Sequence, residues 1–132
     1  MAWLPTLTLL AHLVGDYVLQ SHVMATRKLA SWRWAAIHAA VYSIPFALLL
    51  SLAAPTRALP ALLVVGGTHA VIDRLGVARR WCQWYGVGHP GLWAAKEGFE
   101  GPPPHIGAWL GIIVDNTFHL LINAAAVAWA VA

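Results

Sequence analysis

Four long apolar segments constrain this chain more than any other feature of its sequence. They cover residues 3–25, 32–54, 58–78 and 106–131. An α-helix needs about 20 mostly apolar residues to cross the hydrocarbon core of a bilayer, and each segment has that length. We therefore predict an all-α membrane protein, a four-transmembrane-helix bundle that forms a single domain over residues 1–132.

The scarcity of charge supports a membrane location. Only 10% of the residues are charged and 60% are apolar, whereas about 25% of the residues of a soluble domain are charged. This composition excludes a soluble enzyme, a disordered tail and a nucleic-acid-binding module, so the expected partner is the lipid bilayer. The single cysteine, Cys82, excludes an internal disulfide and a thiolate metal cage.

Basic residues predict the orientation of the spans. Seven of the eight Lys and Arg residues follow the first or the third span, and only Arg57 lies on the other side. By the positive-inside rule, this places the chain in an inner (cytoplasmic) membrane with both termini outside. The N-terminus lacks a basic region and a cleavage site, so we expect the first span to be retained. The cytoplasmic connection 79–105 contains RRWCQWY, which suits an interfacial segment, although its Gly and Pro residues also permit an irregular loop.

Polar side chains interrupt the predicted spans at regular intervals. Span two contributes His38. Span one carries a polar residue at every fourth position, namely Thr8, His12, Asp16 and Gln20. Span four has the same spacing, with two glycines before its polar residues: Gly107, Gly111, Asp115, His119 and Asn123. Residues at this spacing share one helix face. An Asp at the centre of a bilayer costs about 2.5–3.5 kcal/mol on insertion scales, so such groups face the bundle interior and mark function by default.

Three spans each place an Asp four residues from a His. The order reverses in the last pair, whose predicted span also runs in the opposite direction: His12 and Asp16, His69 and Asp73, Asp115 and His119. In a four-span topology every Asp then faces the cytoplasm, with its His about 6 Å deeper. This arrangement predicts one His/Asp cluster in the cytoplasmic half of the bundle.

Histidine nitrogens and carboxylate oxygens together favour a divalent metal, zinc first, with manganese or iron as alternatives. The predicted metal ligands are His12, Asp16, His69, Asp73, Asp115 and His119. Asp16 is also a candidate general base, and Gln20 and His38 are candidates for orienting substrate or water. The predicted function is a metal-dependent membrane hydrolase acting on a lipid or headgroup ester.

Non-enzymatic functions fit the same residues. The cluster also suits a proton relay in a channel, a transporter subunit or a partner-binding membrane protein, or a purely structural hydrogen-bond network. Gly107 and Gly111 suit a close-packed face, for example in a homodimer. Near the cytoplasmic end of span one, His22, Arg27 and Lys28 are predicted either to bind a phosphate headgroup or to anchor the helix, and anchoring is the favoured interpretation.

Three strings of the sequence resemble the family catalogued as domain of unknown function 3307: AHLVGDYVLQSHVMATRK, THAVIDR and DNTFHLLIN. The resemblance spans nearly the whole chain except the connection 79–105, and it implies a small membrane protein of bacteria or phages with no assigned activity. It also implies the matching positions His12, Asp16, Gln20, Lys28, His38, His69, Asp73, Asp115 and His119.

Overall fold

The computed structural model describes residues 2–88 and 100–132, and these residues form helices without any strand. The elements are α1 (Leu4–Leu13), a π turn (Val14–Val18), α2 (His22–Arg27), α3 (Trp32–Ala53), α4 (Ala58–Leu75), α5 (Val77–Tyr85) and α6 (Pro104–Val131). Pro104 opens α6, where the missing N–H of proline leaves no hydrogen bond unmade. The predicted all-α class is confirmed.

Among residues 2–88 and 100–132, three helices are long and apolar enough to cross a membrane: α3, α4 and α6. They correspond to the predicted second, third and fourth spans. The prediction of one continuous helix over residues 3–25 is wrong. The ten residues of α1 and the five of the π turn reach only about 22 Å at 1.5 Å per residue, against a hydrocarbon core of about 30 Å.

The first helical segment ends because of two adjacent polar residues. The side-chain amide of Gln20 donates a hydrogen bond to the backbone carbonyl of Asp16 at 2.9 Å, which satisfies an acceptor at the helix end. Ser21 has an extended backbone, and its hydroxyl accepts a hydrogen bond from the N–H of Met24. Ser21 is therefore the N-cap of a new helix, α2, and separates it from the π turn.

The described chain divides into two compact units, Met1–Leu75 with His119–Ala132, and Gly76–Phe118. In the first unit α3 packs against α4, α1, the π turn and α2. Its apolar core is built around large side chains on α3, α4 and α6, namely Tyr42, Phe46, Leu50, Val65 and Val127. The apolar contacts of α3 therefore hold the elements that carry the polar residues.

In the first unit, large apolar side chains are exposed and polar side chains are buried. Leu52, Leu59 and Leu63 are 79%, 68% and 68% exposed, while eight polar or charged residues are buried. A soluble protein shows the opposite preference, since Asp and His are seldom fully buried and large apolar patches are seldom left open. This distribution is typical of a protein whose outer surface faces lipid.

The second unit contains α5, which begins and ends at left-handed glycines. Gly76 and Gly86 have φ of 58° and 97°, a conformation that side chains with a Cβ rarely adopt. The RRWCQWY string is thus helical rather than an irregular loop, and the Trp81 ring stacks on Tyr85. Residues 89–99 of the predicted cytoplasmic connection lie outside the described residues.

Gly107 packs against another glycine of its own unit. A Cβ at Gly107 would meet the backbone carbonyl oxygen of Gly88. Gly107 therefore packs closely within its own chain, and the homodimer contact predicted for Gly107 and Gly111 stays a prediction.

Candidate metal centre

Five of the predicted site residues lie together in the first unit. Asp16 comes from the π turn, His38 from α3, His69 and Asp73 from successive turns of α4, and His119 from α6. All five side chains are buried. Four separate helical elements thus direct their imidazole or carboxylate groups to one region.

The π turn and a glycine place Asp16 against α3. The turn is closed by a hydrogen bond from the Leu19 N–H to the Val14 carbonyl at 2.9 Å, and such turns are frequent at functional sites. The close approach of this turn to α3 depends on Gly15, since a Cβ there would lie 2.8 Å from both the carbonyl oxygen and the Cδ2 atom of Tyr42. The backbone contact holds Asp16 beside His38.

The nitrogen and oxygen atoms of the cluster converge. The Nε2 atom of His38 lies 3.1 Å from Asp16 Oδ1, 3.0 Å from His69 Nε2 and 3.4 Å from Asp73 Oδ2. His69 Nε2 lies 3.2 Å from Asp73 Oδ2 and 3.9 Å from Asp16 Oδ1. An imidazole nitrogen has a single in-plane hydrogen or lone pair, so these contacts cannot all be hydrogen bonds.

The spacings suit the ligands of one shared cation. Two ligands bonded to a tetrahedral zinc at 2.0–2.2 Å lie about 3.3–3.6 Å apart, within the range of the observed spacings. Within the described residues, the Nδ1 atoms of His38 and His69 are buried without hydrogen-bond partners, so both rings make their polar contacts through Nε2. His38, predicted to orient substrate or water, therefore lies among the ligand atoms.

In the part of the chain that the structure describes, two overlapping groups of three side chains could hold a metal ion. Asp16, His38 and His69 form one, and His69, Asp73 and His119 form the other, with the ligand atoms of each within 4.8 Å of one another. Asp73 directs Oδ2 toward His38 and His69, whereas its Oδ1 lies 3.7 Å from His119 Nε2. His69 belongs to both groups and is the central ligand candidate.

Lys28 also reaches the cluster, which the sequence interpretation did not favour. Its Nζ lies 3.0 Å from Asp73 Oδ2 and 3.8 Å from Asp16 Oδ1. Lys28 follows α2, so the break after the π turn brings the ammonium group back to the carboxylates. The signal available in the sequence was its place in the family pattern.

His12 is linked to the cluster through Tyr42, another residue to which the sequence analysis assigned no role. Asn123 Nδ2 donates to the Tyr42 hydroxyl, which lies 2.8 Å from His12 Nδ1. Two hydrogen bonds thus meet at the Tyr42 hydroxyl, one accepted from Asn123 and one shared with His12 Nδ1. The Tyr42 ring stacks on His69 with centroids 3.7 Å apart. A ligand role for His12 remains a prediction, and the four-residue spacing of Tyr42 from His38 was the signal for its position.

Replacing Tyr42 with phenylalanine should destabilise the first unit by about 1–3 kcal/mol, because buried polar groups of His12 and Asn123 lose a partner. Thermal unfolding in detergent measures the change. Tyr85→Phe is the matched control, since Tyr85 is exposed and the same hydroxyl is removed. Equal unfolding temperatures for the two variants would contradict the assigned hydrogen-bond chain.

Two other predicted residues have different surroundings. The Oε1 atom of Gln20 is buried with no hydrogen-bond partner among the described residues, so it can accept a hydrogen bond from water or substrate. Asp115 lies half-buried in the second unit and belongs to neither metal-competent group. Its predicted ligand role stays a prediction.

Cys82 should react slowly with maleimide near neutral pH. Burial raises the pKa of its thiol above the usual range, and the negative charge of Asp115 raises it further. Because only the thiolate reacts, labelling should accelerate as pH rises through a region above the ordinary thiol pKa of about 8.5. Asp115→Asn should speed labelling at pH 8, and rates measured after denaturation should be equal. A variant no faster than the native protein would exclude the effect of Asp115.

Comparison with known proteins identifies a family. The model of a family described as a protein of unknown function (DUF3307) matches residues 4–88. No curated protein and no solved structure matches the chain. The matched region contains most of the cluster but ends before Asp115 and His119, so the resemblance is confirmed over a shorter range than expected. Because the match covers more than half of its residues, the chain belongs to the DUF3307 family.

Proposed function

We propose that this protein is a membrane enzyme that uses an intramembrane divalent metal to hydrolyse an ester or phosphoester of a lipid or its headgroup. The convergence of His38, His69, Asp16 and Asp73 carries the proposal, because hydrogen bonding alone does not satisfy those contacts. The three membrane-competent helices supply the second support, since they would give such a site access to lipid.

Zinc is the metal that these donors fit best. Two imidazole nitrogens and two carboxylate oxygens are ordinary zinc ligands, and the carboxylates balance its charge. Manganese and ferrous iron accept the same donors and are the alternatives. Asp16, Asp73, His38 and His69 would hold the ion, with His119 adjacent through the second oxygen of Asp73.

The surrounding residues suit a hydrolytic reaction. A bound zinc supplies Lewis acidity, which polarises a carbonyl or phosphoryl oxygen and makes water more acidic. The unpaired Oε1 of Gln20 would orient a water molecule by accepting its hydrogen bond. The apolar core on α3 limits the access of bulk water and strengthens the electrostatic interactions within the site.

The test combines metal analysis with hydrolysis of phospholipids in mixed micelles. We expect stoichiometric zinc in the purified protein, loss of hydrolysis after chelation and its return when zinc is added. Gln20→Ala should lower kcat by about 10–100-fold while zinc remains bound. Gln83→Ala, at another glutamine in the second unit, is the control. Hydrolysis that survives complete removal of the metal would reject the proposal.

A proton-conducting protein is the second candidate function. The observation that favours it is the 3.0 Å contact between the Nε2 atoms of His38 and His69, because two histidines at that distance can share a proton. Proton flux in liposomes that disappears in Asp16→Asn would support this function. Absence of flux from a well-inserted wild-type protein would reject it.

We also propose an inner-membrane location with the basic connections in the cytoplasm. Arg33 near the start of α3 and Arg74 near the end of α4 support it, since both helix ends would face the cytoplasm. The C-terminus of α6 would then lie outside. A reporter fused there should be active only outside the cytoplasm, and cytoplasmic activity would reverse the orientation.

A further inference from the structure

The Lys28 side chain is more exposed than the side chains of Asp16, Asp73 and His38 that it lies beside. Its side chain is 14% exposed, whereas those of Asp16 and Asp73 are 5% and 2% exposed and that of His38 is fully buried. The ammonium group nevertheless lies 3.0 Å from Asp73 Oδ2, an atom that a metal would also use. A molecule that enters from the accessible side therefore meets Lys28 at the edge of the metal centre.

The charges around Lys28 would favour an additional anion when a metal is bound. Two carboxylates balance a divalent ion, and the Lys28 ammonium then leaves one positive charge beside it. Lys28 and the metal also compete for the same oxygen of Asp73. An uncompensated buried charge is costly, so a negatively charged group that contacts both cations would stabilise the occupied site.

We propose that Lys28 and the bound metal together form a binding site for a phosphate group, which rests on the metal centre proposed above. A tetrahedral phosphate has several oxygens and can present one to the metal and another to the ammonium group. Lysine binds phosphate as a compact charge with three donors. The substrate class of the enzyme is then a phosphoester rather than a carboxylic ester. Both a lipid headgroup and a soluble phosphate ester contain the required group.

The experiment measures zinc affinity by competition with a chromogenic chelator, with and without inorganic phosphate. Without phosphate, Lys28→Gln should bind zinc about 10-fold more tightly than wild type, because a neighbouring positive charge is removed. Phosphate should increase the zinc affinity of the wild type, since the coupling of two ligands is reciprocal. It should have little effect on Lys28→Gln, and Lys28→Arg should retain the response.

Controls identify the class of ligand and the residue responsible. Arg27→Gln removes the adjacent exposed positive charge and should leave both affinities unchanged. Acetate at equal concentration should not replace phosphate. Dihexanoyl phosphatidic acid and glycerol phosphate distinguish a lipid source from a soluble one, and a response to either supports the phosphate site.

Two results separate this inference from the proposed function. If neither wild type nor Lys28→Gln binds zinc, manganese or iron, the metal centre itself is rejected. If both bind zinc and respond equally to phosphate, the metal centre stands and the role of Lys28 is overturned. An equal response to acetate would overturn the phosphate class.

Discussion

Replacing His69 with alanine is expected to abolish stoichiometric zinc binding. His69 belongs to both groups of side chains that can hold a metal, and its Nε2 lies 3.0 Å from the corresponding nitrogen of His38. The loss of a direct ligand should exceed the about 10–100-fold loss of affinity that follows removal of an outer partner. Elemental analysis of purified protein measures the zinc content, and chelator competition measures the zinc affinity.

The control for this prediction is His22→Ala. His22 is an exposed histidine at the start of α2, so the same side chain is removed outside the cluster. Zinc content and affinity should equal those of the wild type. Circular dichroism establishes whether each variant retains its helices. A folded His69→Ala protein that binds one zinc at wild-type affinity would disprove the central role of His69.

Replacing Gly15 with alanine is expected to destabilise the first unit strongly. The added Cβ would lie 2.8 Å from the backbone carbonyl oxygen of Tyr42 and 3.2 Å from its Cα. A backbone atom in the middle of α3 cannot move aside as a flexible side chain can. Overpacking of this kind costs about 1–3 kcal/mol and occasionally more. Displacement of the π turn should also move Asp16 and weaken metal binding.

Gly67→Ala is the matched control for Gly15→Ala. Gly67 lies in α4, and a Cβ there would meet no atom within 4 Å. Since alanine favours a helix over glycine by up to about 1 kcal/mol, this variant should be as stable as the wild type or more stable. Unfolding temperatures in detergent and zinc affinity provide the comparison. Equal stability of the two variants would show that α1 and the π turn do not approach α3 as described.

The long apolar segments predicted α3, α4 and α6 well because their length alone restricts the structures available to them. The first segment was harder to predict. Gln20 and Ser21 were interpreted as polar residues within a continuous span, although Ser21 is an N-cap and begins another helix. A polar residue that is tolerated inside a span and a polar residue that ends a helix look alike when only hydropathy is considered.

The candidate site was partly predictable for a related reason. His69 and Asp73 are four residues apart, so helix geometry alone places them on one face. The contacts of Lys28 with Asp73 and of Tyr42 with His12 join different elements. They depend on how each helix is rotated and on where α2 begins, and spacing along one helix does not contain that information.

The π turn also affects the direction in which the polar residues of the first segment point. An α-helix has 3.6 residues per turn, so side chains four apart drift around its axis by about 40° at each step. A π turn has more than four residues per turn, so four of its residues rotate by less than one full turn. This rotation opposes the drift along the α-helix. Underwinding at Val14–Val18 therefore helps to keep Asp16 in angular register with Thr8 and His12. The α-helix α6 has no such turn, and along its four-residue repeat Asp115 is only half-buried where His119 and Asn123 are fully buried.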